Sequence, residues 1–534
     1  MRQPTYSHQS RTRFVFEVFQ HLIAPALLVG IFLFWASSDA RAATETWNPG
    51  GAGGGNGTWD AGVTPDWNSG LTWSNSNDAL FSGTGGTVTV INPIANSLTF
   101  SASGPYLLES GTVTLSGSGV TVNSVATISS AINSSVGLAE TGPGALTLTG
   151  STTLSYGNLS IDFGAVNVTN GGSVYEPLPS SAYPSENGNV FVGDSGSGTL
   201  QISNGGAVSG YSGYVGYAAG SSGLATVSGS GSSLAFISSL SIGQGGIGTM
   251  IISNGGAGSG GALYIGANAG SSGTVLVSGS GSTWASSYIA VGVSGSGTLQ
   301  ITGGGAVSGE TGIIGDNAGS SGTVTVSGSG STWSNSVALY IGDSGTGTLL
   351  ISGGGNVSGA TGGEYYNSFY IGDVAGSSGL VTVTGSSSTL TDGGHLYIGD
   401  AGTGTLLITN GGLVSAGQTT VNKASTLLIG LNAIFSSPLI VYGGTLSFAD
   451  GEVQTFALAN SMTVEAGSTF GFDVGNGSDQ LTLSGGGSLT LTGASSVNLY
   501  GLSGSVTSGT DVLIAAATSG ALSLGNVYNS GNFR

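Results

Sequence analysis

The chain has no cysteine in its 534 residues. Disulfides, thiolate nucleophiles and cysteine-held zinc are therefore excluded. Charge is nearly as scarce, with 6% of residues charged. The basic residues are Arg2, Arg11, Arg13, Arg41, Lys423 and Arg534, and four of these six lie in the first 42 positions. Beyond position 42, 2 basic residues remain against 23 acidic ones, a net charge of −21. Such a surface repels phosphate backbones and anionic headgroups, which excludes nucleic acid as a partner. His395 is the only histidine past position 42, too few for a multi-histidine metal site and isolated from any evident triad. A lyase acting on acidic sugars has no supply of Arg or Lys beyond Lys423 and Arg534.

Glycine is abundant, with 103 residues, and it recurs at fixed places between Val, Ile, Leu and Thr runs. Gly193, Gly243, Gly292, Gly342 and Gly399 form one series, and Gly216, Gly266, Gly315 and Gly372 a second. Within each series the step is 49 or 50 residues, widening to 57 at one place. Self-similarity on this scale signals a solenoid of stacked units. The short runs alternate with period two: Leu200, Val275, Val324 and Leu349 hold one face while Gln201, Leu276, Thr325 and Leu350 vary on the other. The expected fold is all-β, a right-handed parallel β-helix with about 23–30 residues per coil and three short strands in each.

The organisation follows. Residues 1–42 read as a secretory signal peptide, with Arg2, Arg11 and Arg13 ahead of the apolar run Leu22–Ala36 and Ala40-Arg41-Ala42 as an A-x-A-like cleavage site. The apolar run is 15 residues, short of the roughly 20 that a membrane span needs. Residues 43–85 carry Trp47, Trp59, Trp67 and Trp73 and are expected to cap the first coil or, alternatively, to present an aromatic binding patch. Residues 86–188 read as irregular coils, 189–418 as the regular array and 419–534 as C-terminal coils. No transmembrane span is expected after the signal.

Several residues qualify as ligand contacts. Asp316, Asp343, Asp373 and Asp400 each follow a turn glycine, as does Asp194. They fit either Asx-type turn bonds or a calcium ladder. The second reading is weakened by Tyr217, Gln244, Ala267 and Val293 at equivalent places. Tyr214, Tyr264, Tyr340, Tyr370 and Tyr397, with Phe191 in register, form an outer aromatic stripe that either stacks on itself or on sugars. The widened step places Glu364, Tyr365 and Tyr366 in an insertion, and insertions in solenoids fall on one face, often the binding face. For hydrolysis, two positioned carboxylates are required. Asp473 with Asp479 and Asp60 with Asp66 are the available pairs, without motif support.

The phrases YIGDSGTGTLLISGGGNVSG and GDNAGSSGTVTVSGSGSTW resemble the repeat shared by bacterial type V secretion (autotransporter) and PEP-CTERM-associated proteins, over the 189–418 array. The opening Trp47–Trp67 stretch and GTDVLIAAA near the C-terminus resemble the ends of such passengers. The resemblance implies an exported β-solenoid, secreted or on the surface of a Gram-negative bacterium near the outer membrane, with a structural or adhesin role. It assigns no catalytic residue. Glycans or other surface proteins are the expected partners, and no cofactor is expected beyond calcium on the aspartate line. The alternative is a carbohydrate-active β-helix enzyme, a polysaccharide hydrolase. The passengers are followed by a C-terminal barrel, and PEP-CTERM chains by a sorting tail. Neither is seen before Arg534, so the anchoring route is expected to lie elsewhere or beyond this sequence.

Overall fold

A computed structural model describes residues 42–51, 53–155, 157–175, 188–359, 368–475, 477–483, 488–502, 514–515 and 522–528. The chain from Ala42 onward forms one compact unit. Among the described residues the helical content is a single short turn, Pro49–Gly51, and the rest of the regular structure is β. The strands pair in parallel, each with a strand one coil earlier and one coil later. The exception is a small antiparallel hairpin closed by Gly477–Ser478. The protein is a parallel β-solenoid.

The coil length is read from the pairing register. Ser197, Ser222, Ile247 and Ser272 stack directly on one another, so one coil of the array spans half of the sequence repeat. Val125, Ala145 and Ala165 stack likewise but at a closer spacing in sequence. Those earlier coils are thus tighter than the expected length of about 23–30 residues. They make three separate strands. In coil 125–144 these are Val125–Ile128, Ala131–Ser134 and Leu138–Glu140. In the array the last two merge into one long bent strand such as Ala207–Val215. That strand pairs with Ser173–Tyr175 through its first half and with Asn189–Val192 through its second.

The interior is one continuous column of side chains. Leu200, Ala225, Met250, Val275, Leu299 and Val324 lie in register on successive coils, all almost completely buried. Their neighbours Gln201, Leu276 and Thr325 face outward. Parallel stacking at about 4.8 Å gives every inward side chain an apolar partner above and below.

The two glycine series mark alternate coils of one turn row. Gly193, Gly216, Gly243 and Gly266 all have φ between 66° and 72°. The backbone of the coil that follows lies against each of them, leaving no room for a Cβ. Only glycine meets both demands.

The sequence repeat spans two coils because neighbouring coils are complementary. Phe236, Trp284 and Trp333 sit in every second coil, and a methyl added at Gly213, Gly258 or Gly312 of the intervening coils would overlap those rings. Large residues thus fill the space left by small ones. The turns alternate too. Buried Ser282 and Ser331 accept the amide hydrogens of Gly255 and Gly304 one coil back, at 3.1 and 3.0 Å, and donate to Ser278 and Ser327 carbonyls at 2.7 Å. Ser232 and Ser388 make the same tie to Gly205 and Gly354.

At the N-terminal end, Trp47, Trp59, Trp67 and Trp73 are buried against one another with ring centroids 4.5–5.4 Å apart, and they continue into Phe81 and Phe100. The rings are packed inward and are not open to solvent.

The large-over-small packing has a direct test. Gly258→Val is expected to cost about 1–3 kcal/mol by overpacking, and Trp284→Ala about 3–5 kcal/mol by the cavity it leaves. Chemical denaturation reads both, and a Gly258→Val protein as stable as the parent would contradict the alternation.

Candidate functional site

The turn row and the strand before it bring two sets of outward side chains together. Tyr340, Tyr370 and Tyr397 are paired in register on three successive coils. Asp316, Asp343, Asp373 and Asp400 occupy four successive coils. The last three donate their backbone N–H groups to Gly315, Gly342 and Gly372 one coil earlier, at 2.9–3.1 Å. The pattern Tyr-Ile-Gly-Asp therefore builds an aromatic column beside an acidic line.

The tyrosines stack on each other. Tyr340 and Tyr370 lie 4.9 Å apart at 4°, and Tyr370 and Tyr397 lie 5.1 Å apart at 11°. Their inner faces cover one another, so the column shows solvent mainly ring edges and hydroxyls. The wider stripe is broken: Tyr214 pairs with Ser241, Tyr264 with Ala290, and Ile313 stands under Tyr340. Phe191 and Tyr214 stack as an isolated pair at 5.0 Å, closed at its edge by Tyr217. His395 lies against Tyr397 and bonds Gln418 Oε1.

The four carboxylates stand in single file, one per coil. Burial pushes Asp373 up to about 6, assisted by the charges of Asp343 and Asp400. Asp316 is raised by burial and then by Asp343. Burial also raises the Tyr340 and Tyr397 phenols, with the nearby phenol and aspartate charges adding to it. Asp343 accepts from Ser344 Oγ at 3.3 Å. Among the described residues no three His, Asp or Glu side chains converge as a metal site. Asp194 is separated from the line by four coils bearing Tyr217, Gln244, Ala267 and Val293. Glu364, Tyr365 and Tyr366 lie outside the described residues.

The paired carboxylates serve turns. Asp60 accepts from Thr64 N and Oγ1, both at 2.7 Å, and Asp66 accepts from Thr58 N at 2.9 Å. Asp473 and Asp479 are fully buried. Asp479 accepts the backbone N–H of Asp473 at 2.6 Å and that of Gln454 at 3.0 Å, and Asp473 accepts that of Gly451. Burial and the charges of Asp473 and Asp450 hold the Asp479 carboxyl up, to about 7. Each of these carboxylates holds nearby backbone amides.

Two features escaped the sequence reading. Glu140 points inward, fully buried, between Val120 and Ile161 of the neighbouring coils. It accepts the N–H groups of Gly142 at 2.7 Å and Val122 at 3.3 Å. In Leu138-Ala139-Glu140 the alternation places it inward, and that was the available signal. The second feature is an open groove of about 460 Å³ bordered by Asp400, Thr403, Asn422, Lys423 and Tyr442. No helix among the described residues is long and apolar enough to cross a membrane.

No protein-family model matches the chain, and no curated protein matches it. Among solved structures, a crystal structure of a TibC-catalyzed hyper-glycosylated TibA fragment is similar, with 19% identity over 68% of this chain and 96% of that one, at a TM-score of 0.34. At that score the likeness bears on neither ligand nor activity.

Glu140 makes stability depend on pH. Desolvation raises its carboxyl from 4.5 to about 7 in the folded chain. The folded state therefore holds the proton more tightly than the unfolded one. The cost of burial is absent below about pH 4.5, grows between there and about pH 7, and is complete above. Glu140→Gln is expected to raise the melting temperature at pH 8 and to change it little at pH 4. An equal shift at both pH values would show that Glu140 does not titrate between them.

Proposed function

We propose that this chain is an exported β-solenoid, secreted or displayed on a bacterial surface, with a structural or adhesive role and no catalytic one. The observation that supports the reading most is the use made of its carboxylates. Asp60, Asp66, Asp473 and Asp479 each hold backbone amides at close range. A general acid and base need free oxygens facing a substrate, and here those oxygens brace turns. What the array offers outward is a long, repetitive surface of hydroxyls, tyrosine edges and aspartates, suited to contact rather than turnover.

The leader motif before Ala43 and the charge of the remaining chain support export. A chain poor in Lys and Arg, free of cysteine and built of self-stacking coils tolerates an extracellular setting without disulfides. Calcium along the Asp316–Asp400 line is an additional proposal, since cation binding would relieve repulsion between stacked carboxylates.

Expression of the full chain in a Gram-negative host, followed by fractionation and N-terminal sequencing, tests export. The expected product begins at Ala43 and lies outside the cytoplasm, whereas an intact Met1 form held in the cytoplasm overturns the reading. Reducing-sugar release from a polysaccharide panel is expected to be nil, and sustained turnover would favour the hydrolase. For calcium, a melting curve with and without chelator should show an upward shift with the ion, and coincident curves would remove it.

A further inference from the structure

The groove beside Asp400 lies where the coils shorten. Leu380 stacks under Thr405 at the full coil length of the array, but Thr405 stacks under Thr426 after a visibly shorter run of chain. Two of the four residues lost come from the turn row, where Ile398 to Thr405 is seven positions and Val421 to Thr426 is five. Where earlier coils run Gly-Asp and several more residues before the next strand, this coil turns through Asn422-Lys423-Ala424-Ser425. The turn is tight enough to hold Ala424 at φ 63°, a left-handed conformation unusual for a residue with a Cβ. An open groove lies beside Asp400 at this turn. At about 460 Å³ its volume lies within the ~300–1,000 Å³ of small-molecule clefts.

The lining departs from the rest of the surface. Lys423 is exposed and is the only Lys or Arg among the described residues, and it forms no ion pair among them. Tyr442, in register with Asn422, is 56% exposed. Among the described residues it has no ring partner, unlike the stacked Tyr340, Tyr370 and Tyr397. The groove thus combines an open aromatic ring, a carboxylate at Asp400, an ammonium at Lys423, an amide at Asn422 and a hydroxyl at Thr403.

We infer that this groove is a binding site for a neutral oligosaccharide. The inference deepens the adhesive reading above and rests on it for its biological setting. A sugar ring presents an apolar C–H face and a rim of hydroxyls. The ring of Tyr442 suits the first, and the mixed donors and acceptors of Asp400, Lys423, Asn422 and Thr403 suit the second. Lys423 and Asp400 carry opposite charges at the groove, so its lining favours neither an anionic nor a cationic sugar. The surrounding surface is strongly negative, and it disfavours uronates, sulfated sugars and phosphates. The tyrosine column is not the platform, because its faces are already occupied by one another.

Titration calorimetry of the full chain tests this against neutral gluco-, manno-, galacto- and xylo-oligosaccharides, with a polyuronate as the acidic probe. At least one neutral probe is expected to bind and the polyuronate to bind at least tenfold more weakly. Tyr442→Ala should weaken the neutral probe at least tenfold, and Asp400→Asn and Lys423→Met at least threefold each, with melting temperatures within a degree or two of the parent. Tyr370→Ala should lower the melting temperature and leave the affinity unchanged. Absence of binding to every neutral probe, equal affinity in the Tyr442→Ala protein, or tighter binding of the polyuronate overturns the proposal. Failure of export would sink the adhesive setting while leaving these affinities as measured, so the two are told apart.

Discussion

The structure depends on one constraint: each coil must satisfy its backbone and bury its inward side chains on the coil above and the coil below. Parallel ladder bonds do the first, and a column such as Leu200–Ala225–Met250–Val275 does the second. A residue that fits badly is felt mainly by its two neighbours, which is why stability here is close to a sum of nearest-neighbour contacts. The same constraint explains the glycine row at Gly193, Gly216 and Gly243, where the next coil passes too close for a Cβ.

The pairwise nature of that contact also sets the period of the sequence. If every coil carried a tryptophan, rings would collide; if every coil carried glycine, the corner would be hollow. Trp284 in register with Gly258, and the Trp333 ring reaching Gly312 from its place over Val307, solve both at once. The serine ties from Ser282 and Ser331 to the amides of Gly255 and Gly304 repeat the arrangement on the turns. One structural coil is thus half of one sequence repeat, and the two halves differ because each is shaped to fit the other.

Charge follows the same logic. In a chain with so few ionisable groups, inward or paired carboxylates are conspicuous, and they are found holding amides. Glu140 holds Gly142 and Val122, while Asp479 holds Asp473 and Gln454. The outward aspartates instead form a line, because identical turns on successive coils place identical residues a strand spacing apart. Where that repetition stops, at the short turn Asn422–Ser425, the surface acquires its mixed-charge groove.

Much of this was legible in the chain itself. The alternation of Leu200 and Ile202 with Gln201 named the inner face, the spaced glycines named the turns, and the missing cysteines and cations narrowed the chemistry. The sequence also placed Tyr340, Tyr370 and Tyr397 on one column, because period and repeat length are local arithmetic. What it left undecided was which atoms those residues expose. That Tyr370 is covered by its neighbours while Tyr442 is open, that Asp473 and Asp479 brace a turn, and that Asp400 meets Lys423 across a groove all depend on contacts between residues a full coil apart. Only the stacked coils bring them together, because register and turn length, not composition, decide which side chains share a surface.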